Sequence, residues 1–272
     1  MEPLIRRVLG LLAGGAAVLL VAELALRGLR GDAHVALPIY ASLRPLTLLP
    51  NVHAVGLFGG RPYTVDLDAR GRRVPSRDGA TVLVGDSVAF GLGLDAPDTL
   101  AARCAERGRP LQVAAAPGFS LADALERAES FGGGSFLVIV NAYDDDAPTL
   151  REVATLAGPW LVRRESPGPL RAALGGSLGE SVLVHDLLGA LVLLHPSPET
   201  RLGSAHVAAL LADFVARHPG TLVAWARPEA GGGLERTSPA IELDLPAGSW
   251  LADGVHWSAM GTERVADRLC GG

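Results

Sequence analysis

The sequence predicts an α/β fold, a three-layer α/β/α sandwich around a mainly parallel central sheet, with one transmembrane helix ahead of it. Three observations lead there. From Thr81 onward short apolar runs alternate with helical patterns, the rhythm of a parallel sheet carrying helices on both faces. The 272 residues give room for one such domain plus an appendage. The hydropathy is high for a soluble chain, and part of it is concentrated at the N-terminus.

The appendage comes first. Val8 to Val21, "VLGLLAGGAAVLLV", contains no polar side chain, and "AELAL" carries the apolar character to Leu26 with Glu23 alone interrupting it. About 19 residues at 1.5 Å rise cover roughly the 30 Å of a hydrocarbon core. The small-x-small pattern of a cleavable leader is poor here, because Glu23, Leu24, Leu26 and Arg27 stand where small residues belong. The segment is therefore read as a retained anchor, with a secreted protein the outcome if it is cleaved. Arg6, Arg7 and the amino group precede the span and Arg27 and Arg30 follow it, a thin margin for a cytoplasmic N-terminus and an external domain.

Residues 1–30 are thus the membrane anchor. Residues 31–79 mix proline, glycine and arginine without helical periodicity and read as an extended connector, in which "YTVDLDARGRRV" forms a hairpin closed near Ala69 to Gly71. Residues 80–272 form the main domain. Within it, "TVLVG" precedes the helical "DTLAARCAERG", "LQVAAA" precedes "SLADALERAESF", and "FLVIV" follows. Later come "SAHVAALLADFVARHPG", "TLVAWARP" and a closing helix near "SAMGTERVADRLC". The apolar "SVLVHDLLGALVLLH" is interrupted by His185 and Asp186 and is too short to span a membrane, so it is expected as a buried helix of the domain.

Composition excludes several classes. With 49% apolar and 19% charged residues and 34 glycines, the chain is no disordered tail. The net charge is −5, every cation is arginine, and no basic face stands out, which argues against nucleic acid as a partner. There is no metal-ligand spacing, dinucleotide fingerprint or phosphate loop, so no metal and no cofactor is implied. Cys104 and Cys270 lie far apart; two buried helix-borne thiols are the commoner arrangement, and spacing alone leaves their pairing open.

The chemistry gathers at strand ends, where ligands bind in parallel sheets. Ser87 follows "TVLVG", at a turn where free N–H groups favour a developing oxyanion, although a serine at a helix start also serves as a plain N-cap. A serine oxygen needs a base. "LADGVHWSAMG" places Asp253 three residues before His256, ahead of the last helix, so that a carboxylate can orient the ring that takes the serine proton. His185 also adjoins an acid, Asp186, but neighbours on a helix diverge.

"VLVGDSVAFGLGL", "AAAPGFS", "LVIVNAYDDD" and "DGVHWSAMG" stand in the order and at about the separations of the sequence blocks of the SGNH/GDSL hydrolases. The chain resembles that family over most of Thr81 to Asp146 and about its last 25 residues, and "VLLVAELALRGL" is similar to the anchors of its bacterial membrane-tethered members. The resemblance implies a flavodoxin-like sandwich, Ser87 as nucleophile, His256 as general base and Asp253 as its orienting acid. It implies oxyanion donors at the N–H groups of Ser87 and Gly118 and at a third-block side chain. One register makes that side chain Asn141; another brings Asp144 or Asp145 to the position, where a carboxylate would repel an oxyanion unless protonated.

The expected function is a membrane-anchored, extracytoplasmic serine esterase acting on a small-molecule, lipid or glycan ester through an acyl-enzyme on Ser87. An O-acyltransferase acting on envelope polysaccharide differs only in the acceptor. A non-catalytic glycan- or partner-binding protein of the same fold is the third reading.

Overall fold

The computed structural model describes the chain except residues 1, 133, 144, 177–180, 193–200, 232–233, 237–239 and 272. It begins with helix α1 (Glu2–Arg30), in which Leu9–Arg30 is long and apolar enough to cross a membrane and contains no fully buried residue. Two antiparallel pairs follow, β1 (Tyr40–Leu43) with β2 (Leu46–Leu48) and β3 (His53–Phe58) with β4 (Arg61–Asp66). The hairpin expected around Ala69 to Gly71 is present but shorter than expected, because its first strand is largely taken by another partner. Tyr63 to Asp66 pair backwards with β3 across Gly59 and Gly60, whose φ values of +55° and +78° suit a tight two-residue hairpin turn. The later turn closes the Leu67–Arg73 bridge, with Asp68 N–H donating to Arg72 O and Val74 N–H to Asp66 O, both at 2.9 Å.

The αβ rhythm then unfolds as β5 (Thr81–Val84), α2 (Ser87–Phe90), α3 (Leu100–Glu106), β6 (Leu111–Val113), α4 (Leu121–Glu129) and β7 (Phe136–Asn141). After these come α5 (Leu150–Val153), an antiparallel pair β8 (Ala154–Ala157) and β9 (Trp160–Arg163), and helices α6 (Gly168–Gly175), α7 (Val182–Val192) and α8 (Ser204–Arg217). β10 (Leu222–Ala226), β11 (Ile241–Leu243) and α9 (Ala259–Cys270) complete the chain.

Five strands make one parallel sheet in the order β11-β10-β7-β5-β6. Every residue of β7 is buried, as are Val82, Leu83 and Val84 of β5, because helices cover both faces and leave no side of these strands for polar groups. Each such aliphatic side chain contributes about 1.5–3 kcal/mol of transfer free energy. From β5 the chain moves to one neighbour, β6, and then back past β5 to β7. Right-handed crossovers consequently put α3 and α4 on opposite faces. The packing agrees, with α3 against α9 and α4 against α8. The reversal between β5 and β7 is the switch point of the sheet, and open α/β sheets bind ligands at the carboxyl ends of the strands there.

The core does not stop at the sheet. Leu37, Ile39, Tyr40, Leu46, Leu48, Tyr63 and Val65 belong to the same buried cluster as the central strands. Arg73 is buried and donates to the carbonyls of Thr64 (3.2 Å), Phe90 (3.0 Å), Gly91 (2.6 Å) and Leu94, joining the second hairpin to the loop that follows α2. That loop is pinned again at Asp95, which accepts from Thr64 N–H at 2.8 Å and from the Thr64 hydroxyl at 2.9 Å.

Two expectations change. Cys104 and Cys270 are not separate thiols but a disulfide, their Cα atoms 5.4 Å apart. The cause is the packing of α3 on α9, which also brings Arg107 to Glu263 and, at 2.5 Å, to Asp267. Helix α7 exists, and Val182 and His185 are buried, yet Leu187 is 60% exposed. It packs on α1 and α6, and its His185 ring lies against Trp160 of β9 and against His34. The end of its apolar stretch, 193–195, lies outside the described residues. Glu23 of α1 accepts from the Ser181 hydroxyl (2.8 Å) and from the N–H groups of Val182 (3.2 Å) and Leu183 (2.9 Å), and Arg30 pairs with Asp186. The one acid within the apolar stretch therefore caps the first turn of α7.

Candidate active site

At the carboxyl end of β5 the chain enters α2, and the helix cap is Asp86 rather than Ser87. The Asp86 carboxylate accepts from Val88 N–H at 2.8 Å, which leaves the Ser87 hydroxyl available to other partners. Ser87 is 8% exposed, and its Oγ lies 2.8 Å from His256 Nε2. His256 Nδ1 in turn is 2.5 Å from Asp253 Oδ2. The three residues singled out from the sequence thus form one continuous hydrogen-bonded chain.

The loop bearing His256 is tied together by its own hydrogen bonds. Asp253 Oδ1 accepts from the N–H groups of Val255 and His256, both at 3.1 Å, so the acid folds its own turn while its second oxygen holds the ring. Leu251 N–H donates to His256 O at 2.7 Å, Trp250 bridges Trp257, and Ser258 caps α9. Burial alone would raise the Asp253 pKa, but the hydrogen bond and charge of His256 and the two N–H donors bring it below the ordinary carboxylate range. An acid held ionised fixes the tautomer in which Nδ1 carries the proton and Nε2 faces the serine.

Gly118 lies in the loop after β6, on a turn in which Phe119 N–H donates to Ala116 O at 3.4 Å. Its φ of +76° explains the glycine, since the left-handed region disfavours any side chain. Asn141 is the last residue of β7. Its carboxamide Nδ2 donates to Asp86 Oδ2 at 2.8 Å, and its Oδ1 accepts from Tyr143 N–H at 3.1 Å. The amide therefore ties the end of β7 to the cap beside Ser87. Asp145 is buried and takes the Asn141 backbone N–H at 2.5 Å. Asp144, the other candidate for the third-block position, lies outside the described residues.

Sequence reasoning missed two aromatic neighbours. The Phe58 ring stands edge-on to His256, with centroids 5.0 Å apart, and the Tyr40 hydroxyl donates to Pro117 O. Both come from the segment read as a connector, where single aromatic residues carry no periodic signal. Asp86 was the legible omission, because an acid one residue before a helix start is a cap by residue type. Among the described residues no group of three or more His, Cys, Asp or Glu side chains converges as a metal site.

Fold and site together define an α/β protein with a five-strand parallel sheet and a serine–histidine–aspartate chain at its strand ends. No family model, curated protein or solved structure matches the chain.

Proposed function

We propose that the protein is a membrane-anchored, extracytoplasmic serine esterase of the SGNH type. The observation that carries the reading is the hydrogen-bonded path from Ser87 Oγ through His256 to Asp253, assembled from opposite ends of the domain. The apolar α1 and the Cys104–Cys270 disulfide support a location outside the cytoplasm.

In this mechanism Ser87 Oγ attacks the ester carbonyl while His256 Nε2 takes its proton, and Asp253 stabilises the resulting imidazolium. The negative oxygen of the tetrahedral intermediate is met by the N–H groups of Ser87 and Gly118, with the Asn141 amide as third donor and Asp144 as the alternative position. Collapse expels the alcohol, which leaves with the proton from His256, and the acyl group remains on Ser87. Water, deprotonated by His256, then attacks the acyl-enzyme; the second tetrahedral intermediate releases the carboxylic acid and restores the serine.

The test uses the full chain in detergent micelles with p-nitrophenyl acetate and a fluorophosphonate label. Wild type is expected to hydrolyse the ester and to label on Ser87, and Ser87→Ala to do neither. Wild type that neither turns over nor labels ends the enzymatic reading in favour of a non-catalytic binding protein. Transfer to an added saccharide in preference to water makes the protein an O-acyltransferase instead.

A further inference from the structure

We propose that Tyr40 is a positioning residue for the oxyanion site, holding the Pro117–Gly118 peptide in the orientation that presents the Gly118 N–H to the reacting carbonyl. The inference rests on the esterase reading and assigns a role to a residue far from the serine, aspartate and histidine blocks.

The argument begins with the turn. Ala116 to Phe119 is closed by the bond from Phe119 N–H to Ala116 O, with Pro117 second and Gly118 third at φ +76°. Those features are those of a type II turn. Types I and II share the same ends and differ mainly by a rotation of about 180° of the central peptide, which here is the Pro117 carbonyl and the Gly118 N–H. The two groups of a planar trans peptide point in opposite directions, so fixing the carbonyl fixes the N–H. Rotation to type I would swing that N–H to the opposite side.

Tyr40 opposes the rotation. Its hydroxyl donates to Pro117 O. The ring is 4% exposed and belongs to β1, where Tyr40 pairs with Leu48 and its backbone N–H donates to Pro159 O at 3.1 Å, so the donor has little freedom to follow a rotating peptide. Burial, countered in part by the charge of Arg127, holds the phenol well above its ordinary range, and it stays a donor throughout the pH span of any assay. A net hydrogen bond of ordinary strength biases a two-state equilibrium by roughly five- to tenfold. A methyl group on Gly118 would meet Leu161 Cδ2 at 3.4 Å and Leu150 Cδ2 at 3.9 Å, ordinary contacts, so an alanine there is resisted by the positive φ and not by space. Gly118→Ala therefore drives the same peptide toward type I by an independent route.

The experiment measures kcat and KM for p-nitrophenyl acetate with the full chain in detergent micelles, for wild type, Tyr40→Phe, Gly118→Ala and the double variant. Tyr40→Phe is expected to lower kcat about five- to tenfold, with KM and the pH profile of the rate little changed, because the oxyanion donor acts in the transition state. In the Gly118→Ala background, loss of the hydroxyl is expected to have little further effect. Retention of kcat within about twofold in Tyr40→Phe, or the same factor lost in both backgrounds, overturns the proposal while leaving an active wild type as an esterase. A Tyr40→Phe protein that has lost its folded circular dichroism spectrum also overturns it, since the hydroxyl would then serve the fold alone. An inactive wild type ends the esterase reading and this role with it.

Discussion

His256 Nε2 lies 2.8 Å from Ser87 Oγ although 169 residues separate the two in the chain. Groups that act as a unit are not additive when removed. Ser87→Ala and His256→Ala are each expected to lower kcat/KM by about 10⁴ to 10⁶, and the double variant to fall no further than the worse single one. Ester turnover by the four proteins decides it; losses that multiply would mean that the two side chains work separately.

Asn141 and Asp86 form a buried pair, 0% and 1% exposed, joined at 2.8 Å. Asn141→Ala removes one donor from a carboxylate that has no access to water, and a destabilisation of about 1.5–3 kcal/mol is expected from chemical denaturation. Turnover of the same variant separates two roles. A large loss from Asn141→Ala with little from Asp144→Ala makes Asn141 the third oxyanion donor, and the reverse pattern gives that place to Asp144.

The Cys104–Cys270 bond closes a loop with a sequence separation of 166 residues. Cross-links over such long loops restrict the unfolded chain strongly, and removing one costs about 2–5 kcal/mol. The Cys104→Ala, Cys270→Ala double variant is expected to melt well below the wild type, and non-reducing mass spectrometry of the wild type to show neither cysteine alkylated without prior reduction. Ready alkylation under denaturing, non-reducing conditions would contradict the bond.

His185 is fully buried, with the Trp160 ring centroid at 4.2 Å, the His34 ring at 4.6 Å and Asp186 Oδ1 at 3.8 Å. Burial, reinforced by His34 and opposed by Asp186, pushes its pKa down to about 4. The sign follows from which state binds the proton. The unfolded chain protonates His185 near the ordinary value of about 6.5, whereas the folded chain resists until about pH 4, so folding stability is fully present above about 6.5 and is lost as pH falls toward 4. His185→Leu is expected to flatten that acid limb, which in the wild type amounts to a loss on the order of 3 kcal/mol. Equal acid sensitivity in both proteins would assign the limb to other groups.

The parts legible in the sequence were those whose signal is local or periodic. β5 and β7 declared themselves because strands covered on both faces are continuously apolar. Asp253 and His256 were legible because three residues of spacing already suffice for one carboxylate to fold a turn and hold a ring. What stayed hidden depends on contacts across the chain. Nothing around Tyr40 reveals Pro117, 77 residues away, and nothing around Cys104 reveals that α3 lies along α9. The hairpin from β3 to β4 stayed hidden for a different reason: "ARG" and "FGG" both suit a turn, and the sequence offered no measure of which pair of flanking strands would bury Tyr63 and Val65.

The cap that Glu23 places on α7 bears on the mechanics of tethering. Under the anchored reading, a slack leash would let the domain sweep a hemisphere above the bilayer. Here α1 is tied to α7 at Glu23 and again where Arg30 meets Asp186, two contacts that a free swivel between the helices would have to break. If α1 is retained as an anchor, the carboxyl ends of β5 and β7 would be held at a set height and heading over the lipid surface, and reach from the membrane would select among the molecules that arrive there.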